Sequence, residues 1–568
     1  MSGIVILVIA LAVLVCGYIF YGGWLAKKWG VDPTRKTPAY ELEDGVDYCP
    51  AKAPVLLGHH FSSIAGAGPI NGPIQAAFFG WVPVLLWVLI GGIFIGAVQD
   101  FSALFVSVRN KGLSIGSVMG ECMTHKAKLM FSIFTWLVML LVDAAFADIV
   151  AKTFNYVGTG ADGAVAYNPS NGSVATASLL FIPLAIIFGF LVYRKHANLA
   201  VSSICGVAVL ALCVAAGINW PLSGDWSTVL FWRVFVFVYC AVASVTPVWI
   251  LLQPRDYLNS YLLYFMIIAS VLGILLSNPT IQLTAFAGFE VNGSFLFPTL
   301  FITVACGAVS GFHALISSGT TSKQLSNEKD AKMIGYGGML IECLLAVVVL
   351  ITIGSMSADG TYTGSPASAF ATGVSGFFAA LGFGEQAVNI TYTVICLSVS
   401  AFCLTSLDTC CRLGRFTLQE LTAPKDGSEP KGIRKALQNK YVATVVNIAC
   451  AAGLCAAGYA TIWPLFGACN QLIAVPVLMT AATWLKQHGK GHKMFYVPMI
   501  FMALASISQL VMSLINYSKA LFADFGTWGT NGLLVVIDAL ILILAVATLV
   551  EGFGFLFGKR KPAEKKAA

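Results

Sequence analysis

From Ile4 to the last apolar run near Glu551, stretches of roughly 17–25 apolar residues recur along the chain, each long enough to cross a bilayer as one helix. Lipid offers backbone groups no hydrogen-bond partner, so such runs must close their own bonds as helices. Only 10% of the 568 residues are charged and 58% are hydrophobic. A soluble domain carries roughly a quarter charged residues, so a soluble fold is excluded. The expected fold is an all-α polytopic membrane protein with about fifteen transmembrane helices.

The expected spans are 4–25, 60–79, 82–107, 128–150, 174–193, 198–217, 229–252, 257–277, 296–318, 334–354, 388–411, 441–458, 461–484, 494–516 and 532–556. Residues 114–125 and 366–382 read as short amphipathic or re-entrant pieces. Lys and Arg gather in 27–36, 109–111, 126–128, 194–195, 323–332, 412–440, 486–493 and the tail Lys559-Arg560-Lys561. The stretches 155–173, 218–228, 278–295 and 355–387 contain neither. Positive-inside bias then places the N-terminus outside and the C-terminus in the cytoplasm. Only Met1, Ser2 and Gly3 precede the first apolar run, and Lys27 and Lys28 follow it, so it reads as a retained helix rather than a signal peptide.

The net charge of +7 follows this loop asymmetry and is no footprint for nucleic acid. Fifteen scattered cysteines form no C-x-x-C, so they read as small buried residues, without disulfide, haem or metal site. No Walker, H-E-x-x-H or G-x-S-x-G motif occurs. The chain is therefore read as a carrier with no cofactor and not as an enzyme. A channel and an intramembrane hydrolase using Ser310 or Ser317 beside His313 are the weaker alternatives. Three regions are expected: an N-terminal helix and loop at 1–57, a transport core at 58–485, and C-terminal helices with a basic tail at 486–568.

Two spans are written in residues hostile to helices. The first runs "GHHFSSIAGAGPINGP" from Gly58 to Pro73, and the second "CGAVSGFHALISSGTT" from Cys306 to Thr321. A break in lipid survives only where it is buried in protein or lines a polar cavity. A half-helix N-terminus there offers free N–H groups to an anion, and freed carbonyls suit a cation. On the span count the two breaks run in opposite directions, as an inverted-repeat transporter requires. Ser62, Ser63, Gly66, Gly68, Asn71 and Gln75 from the first, and Ser310, His313 and Ser317 from the second, are the candidate substrate-binding residues. A third segment, "WPLFGACNQ" from Trp463 to Gln471, adds Asn470 and Gln471; a proline kink is its ordinary explanation.

These stretches, with "GAVQDF" from Gly96 to Phe101 and the weaker "RDYL" at Arg255 and "DTCCRLGRFTLQE" at Asp408, resemble the carbon starvation protein A family. The resemblance spans residues 55–475. It implies an inner-membrane transporter for pyruvate or small peptides, used when preferred carbon is scarce and coupled to protons. It also implies membership of the amino acid–polyamine–organocation superfamily, with an inverted repeat of five plus five helices. The two broken spans here are second and ninth, seven apart rather than five, so helices are inserted or the pairing differs.

Proton coupling needs a group that changes charge inside the membrane. His59, His60, Asp100 and His313 are the candidates, since histidine titrates near neutrality and an intramembrane acid is functional by default. Asp100 leads the intramembrane acids, which include Asp143, Asp148 and Glu342. His59 and His60, about 100° apart on a helix, cannot readily share one metal. His313 and Ser317 share one helical face, which Thr320 and Thr321 extend. Arg109 is placed to pair with an acid or to snorkel. Asp408 and Arg412 are spaced for an i,i+4 ion pair. Arg255-Asp256 is read as topology-setting charge in a tight turn.

Overall fold

The computed structural model describes residues 1–557 apart from 46, 160–164, 196, 248, 363–364 and 424–429. The tail Lys559-Arg560-Lys561 and part of the basic stretch 412–440 lie outside the described residues. Nearly everything else is helix. The strands among the described residues are two short hairpins, Val157–Thr159 with Val165–Tyr167 and Glu290–Val291 with Ser294–Phe295.

Eleven helices among the described residues are long and apolar enough to cross a membrane, from Gly3–Trp29 to Asn531–Leu556. Four further expected crossings take other forms. Val229–Val245 and Lys440–Cys455 are shorter apolar helices. The spans 60–79 and 296–318 are interrupted, as their glycines demand. The first becomes Ala53–Ala65 and Gly68–Ala76; the second becomes Leu296–Thr303, a 3-10 turn at Ala305–Gly307, and Gly311–Gly319. The amphipathic pieces form short helices at Ile115–Cys122 and Pro366–Ala380.

One expectation about a helix end needs correction. The turn expected around Arg255 lies earlier, at Thr246-Pro247. Proline pushes its predecessor to extended backbone, and Thr246 at ψ 143° ends its helix there. The next helix, Leu252–Ser277, accepts Pro254 in its first turn, where a missing N–H costs nothing, and so takes in Arg255 and Asp256. The third glycine-proline segment, expected within the single span 461–484, lies in one helix, Tyr459–Gln487, which absorbs Pro464 near its start and Pro476 later.

Helices begin on polar caps at several loop junctions. Thr124, Asn198, Thr228 and Asn439 each accept a backbone N–H from the first turn, and Ser365 and Ser368 form a capping box. Apolar side chains on the outside, such as Ile204, Leu230 and Val497, are 72%, 69% and 78% exposed, which suits a lipid-facing surface. Burial grades inward from there. The apolar window of Leu199–Asn219 is 28% buried, whereas that of Thr461–Gln487 is wholly buried. The latter helix therefore stands at the centre, against both the second interrupted segment and the C-terminal helices.

Candidate functional site

The two breaks meet inside the protein. A Cβ on Gly72 would overlap the Val304 carbonyl oxygen, and one on Gly68 would reach within 2.5 Å of Cys306 Sγ. Glycine is what lets these backbones touch. Gly96 plays the same part for the helix Trp81–Arg109, because a Cβ there would overlap the Ala308 carbonyl oxygen. That approach falls at a π-helical turn, Gly92–Gly96, and sets Gln99 and Asp100 beside the second break.

The breaks differ in how their backbone is satisfied. At the first, Gly66 adopts φ +45°, which favours glycine, and the half-helix Gly68–Ala76 starts without a side-chain cap. At the second, side chains from the buried helix Tyr459–Gln487 close the gap. Asn470 Oδ1 accepts the Phe312 N–H at 2.9 Å, and its Nδ2 donates to Ser310 Oγ at 3.1 Å. Gln471 Nε2 donates to the Phe301 carbonyl at 2.7 Å, and Gln99 Nε2 to the Ser310 carbonyl at 2.6 Å. Asn470 and Gln471 thus face the break, where they act as its caps.

Two buried charge clusters flank this centre. In one, His59 Nδ1 lies 2.9 Å from Asp256 Oδ2, and Arg255 donates to Asp256 Oδ1 at 2.7 Å. Arg255 also pairs with Asp408, through Nη1 and again through Nη2 at 3.0 Å, and donates to Tyr239 Oη. Arg255, Asp256 and Asp408 are all at most 1% exposed. The reading of Arg255-Asp256 as a surface topology signal is therefore wrong: a helix carries both into the core. The expected Asp408–Arg412 pair is also replaced. Asp408 is taken by Arg255, and Arg412 donates to the Ala243 and Thr246 carbonyls, with Asp47 at 3.8 Å.

In the other cluster His313 Nδ1 lies 3.0 Å from Asp100 Oδ2, and Nε2 lies 3.4 Å from Glu342 Oε2. All three side chains are fully buried. His60 is separate from both clusters. It is buried and meets Thr321 Oγ1 at 2.8 Å. The two adjacent histidines thus point at different helices, as their angular separation requires, and neither is interfacial.

The remaining expected residues fall into place around these. Ser62 Oγ donates to the Asp256 carbonyl at 3.1 Å, while the buried Ser63 and Ser317 hydroxyls have no partner. Asn71 is buried within Gly68–Ala76. Gln75 lies further out and lines a cavity of about 550 Å³ with Phe78, Thr361, Tyr362, Tyr459 and Trp463. The Thr361–Tyr362 loop belongs to the Lys- and Arg-free stretch 355–387. Arg109 pairs with Glu328 at 2.7 Å. Asp143 accepts from Asn447 at 3.1 Å, and Asp148 binds Arg233 at 2.5 Å and Lys152 at 2.9 Å. Gln324, whose amide lies 3.3 Å from His59 Nε2, and Tyr239 were missed; each is a lone polar residue that gains its meaning only from the fold.

Fold and centre together define a polytopic α-helical membrane protein built around two interrupted helices and two buried ion clusters. The chain belongs to the family described as carbon starvation protein CstA, whose profile matches residues 2–365 and 360–509. The peptide transporter CstA of Campylobacter jejuni is 32% identical over 588 residues, covering 91% of this chain and 81% of the relative. The peptide transporter CstA of Escherichia coli is 34% identical, with 84% and 76% covered. The pyruvate/proton symporter BtsT of Escherichia coli is 37% identical over 363 residues, covering 62% of this chain and 49% of the relative. Among solved structures, a manganese transporter of Eremococcus coleocola overlays with a TM-score of 0.49 at 9% identity, over 90% of this chain and 99% of that one.

Proposed function

We propose that this chain is a proton-coupled symporter that imports a small carboxylate, pyruvate or a short peptide, across the bacterial inner membrane under carbon limitation. The observation that carries the reading is the first break, where the half-helix Gly68–Ala76 starts without a side-chain cap among the buried Ser62, Ser63 and Asn71. An uncapped half-helix N-terminus suits an anion. Pyruvate and a peptide C-terminus both supply a carboxylate. The names of the relatives support the same substrate classes. Asn71 and Gln75 on Gly68–Ala76, with the 550 Å³ cavity beyond Gln75, form the entry route in this reading.

The coupling proton is assigned to the His59 cluster. Asp256 and Asp408 outnumber Arg255 by one charge, and a proton on His59 makes the cluster neutral. A neutral buried cluster can change its surroundings at far lower cost than a charged one. The proton binds while the cluster is reached from outside and leaves on the cytoplasmic side. In this reading the N-terminus is outside, the C-terminus is cytoplasmic, residues 58–485 form an inverted-repeat core, and the chain performs no chemistry on its substrate.

Reconstitution into proteoliposomes tests it. Labelled pyruvate should accumulate when the lumen is alkaline, and di- and tripeptides should be tried as competitors to fix the substrate. Uptake indifferent to both pH gradient and membrane potential would remove the coupling. Single-channel currents without saturation would make the protein a channel.

A further inference from the structure

Three ligand-bearing side chains converge at the second break. Cys306, His313 and Glu342 are buried, and their sulfur, imidazole nitrogen and carboxylate oxygen lie within 4.8 Å of one another. Their donor atoms are largely unengaged. Asp100 holds His313 Nδ1 at 3.0 Å and so directs Nε2 toward Glu342. Neither Nε2 nor either Glu342 oxygen has a hydrogen-bond partner. Cys306 Sγ has only weak contacts, at 3.4 Å to Ser310 Oγ and 3.5 Å to Asn470 Nδ2. Moreover, two carboxylates face one imidazole here, and no Lys or Arg among the described residues pairs with either. The other buried cluster has Arg255 for that task. An uncompensated carboxylate at this depth is costly unless a proton or a cation neutralises it.

We propose that Cys306, His313 and Glu342 form a site for a borderline divalent transition-metal cation of the zinc(II) class. A sulfur, an imidazole nitrogen and a carboxylate oxygen are the ligand types zinc(II) takes. Two N or O ligands bound at about 2.1 Å on a tetrahedral ion stand about 3.4 Å apart. His313 Nε2 and Glu342 Oε2 are separated by 3.4 Å. Asp100 supplies the outer carboxylate that fixes a ligating imidazole in its tautomer and orientation. The ion's two charges offset two of the three negative charges on Asp100, Glu342 and the Cys306 thiolate, whose proton is released on binding. Cys306 precedes the break and His313 follows it, while Glu342 stands on the facing helix Glu328–Met356. The bound ion therefore braces the break against its neighbour. No ligand spacing announces this site, since the trio is assembled from both sides of a break and a third helix. The proposal concerns binding alone and is independent of what the carrier transports.

The test uses the full chain purified in detergent and stripped with a chelator. Cobalt(II) is the spectroscopic probe and zinc(II) the competitor. The expected result is one cobalt(II) per chain, with thiolate-to-metal charge-transfer absorption that zinc(II) displaces. Cys306→Ser should abolish that absorption. Glu342→Gln and His313→Gln should weaken binding at least tenfold. Cys343→Ser, which removes a neighbouring buried thiol outside the trio, should change neither. Cys306→Ser is nearly isosteric, so loss of its absorption in a protein that still elutes as wild type decides the matter should the other variants misfold. Absence of stoichiometric binding, or binding of equal strength in all three trio variants, would overturn the site.

Discussion

The two interrupted helices differ in which neighbours complete them. The second is stitched shut: Asn470, Gln471 and Gln99 each reach across to a backbone group that the break has freed. The first starts its inner half, Gly68–Ala76, without a side-chain cap, and its histidines reach away to Asp256 and Thr321. Asn470 takes the place at the second break that an anion can take at the uncapped first. On the proposed reading this separates a substrate-facing half from a bracing half, although sequence presents the two as near copies in style.

The largest expected effect lies in the charge cluster that leans on the first break. Arg255→Met leaves Asp256 and Asp408 buried without their cation. Breaking a buried pair from one side costs about 3–5 kcal/mol, so membrane abundance and detergent melting temperature should both fall sharply. A well-folded, active Arg255→Met protein would dissolve the cluster as described. Next comes the contact between the two breaks. Gly72→Ala drives a methyl into the Val304 carbonyl, and overpacking of this kind costs about 1–3 kcal/mol. Thermal stability should drop and uptake with it.

Asn470→Ala and Asn71→Ala then set the breaks directly against each other. The first uncaps Phe312 and should lower melting stability by about 1–3 kcal/mol. The second should leave the melt unchanged and raise the KM for uptake several-fold. Reversed outcomes would exchange the roles of the two breaks. His59→Gln should preserve the folded protein and substrate counterflow while abolishing the response to a pH gradient; a retained response moves the coupling proton elsewhere. The smallest effect belongs to Lys152→Ala. Lys152 is 44% exposed and shares Asp148 with Arg233, so its loss should cost at most about 1 kcal/mol.

Much of this was legible from residue order. Apolar length marked the helices, because lipid leaves the backbone no other solution. Glycine and proline density marked both breaks, and the 100° step between His59 and His60 correctly separated their partners. What residue order hid was pairing. Asp408 and Arg412 have ideal helical spacing, yet Asp408 is claimed by Arg255 from another helix, where two donors can engage it at once. Arg255-Asp256 looked like a loop because it is a charged pair between two expected spans, although Leu252–Ser277 starts before it and takes Pro254 in its first turn. "WPLFGACNQ" resembled a third break because it carries a proline and polar residues. Its amides in fact serve a break elsewhere. Local chemistry reports what a residue is able to bind, and only the packing of distant helices decides what it does bind.

The helix Glu385–Thr422 is the longest among the described residues, at 38 residues without a proline. At 1.5 Å per residue it is about 57 Å long, nearly twice the hydrocarbon thickness of about 30 Å. Asp408, in the ion cluster, lies past the middle of this rod, and toward its C-terminal end come Arg412, facing Asp47, and Glu420, which accepts from Ser114 at 3.2 Å. A stiff element that joins the ion cluster to the rim of the helical bundle acts as a mechanical read-out. Any tilt that accompanies opening of the Arg255–Asp408 pair is displayed, magnified, at the rim, where a fluorophore beside Glu420 can follow turnover without touching the centre.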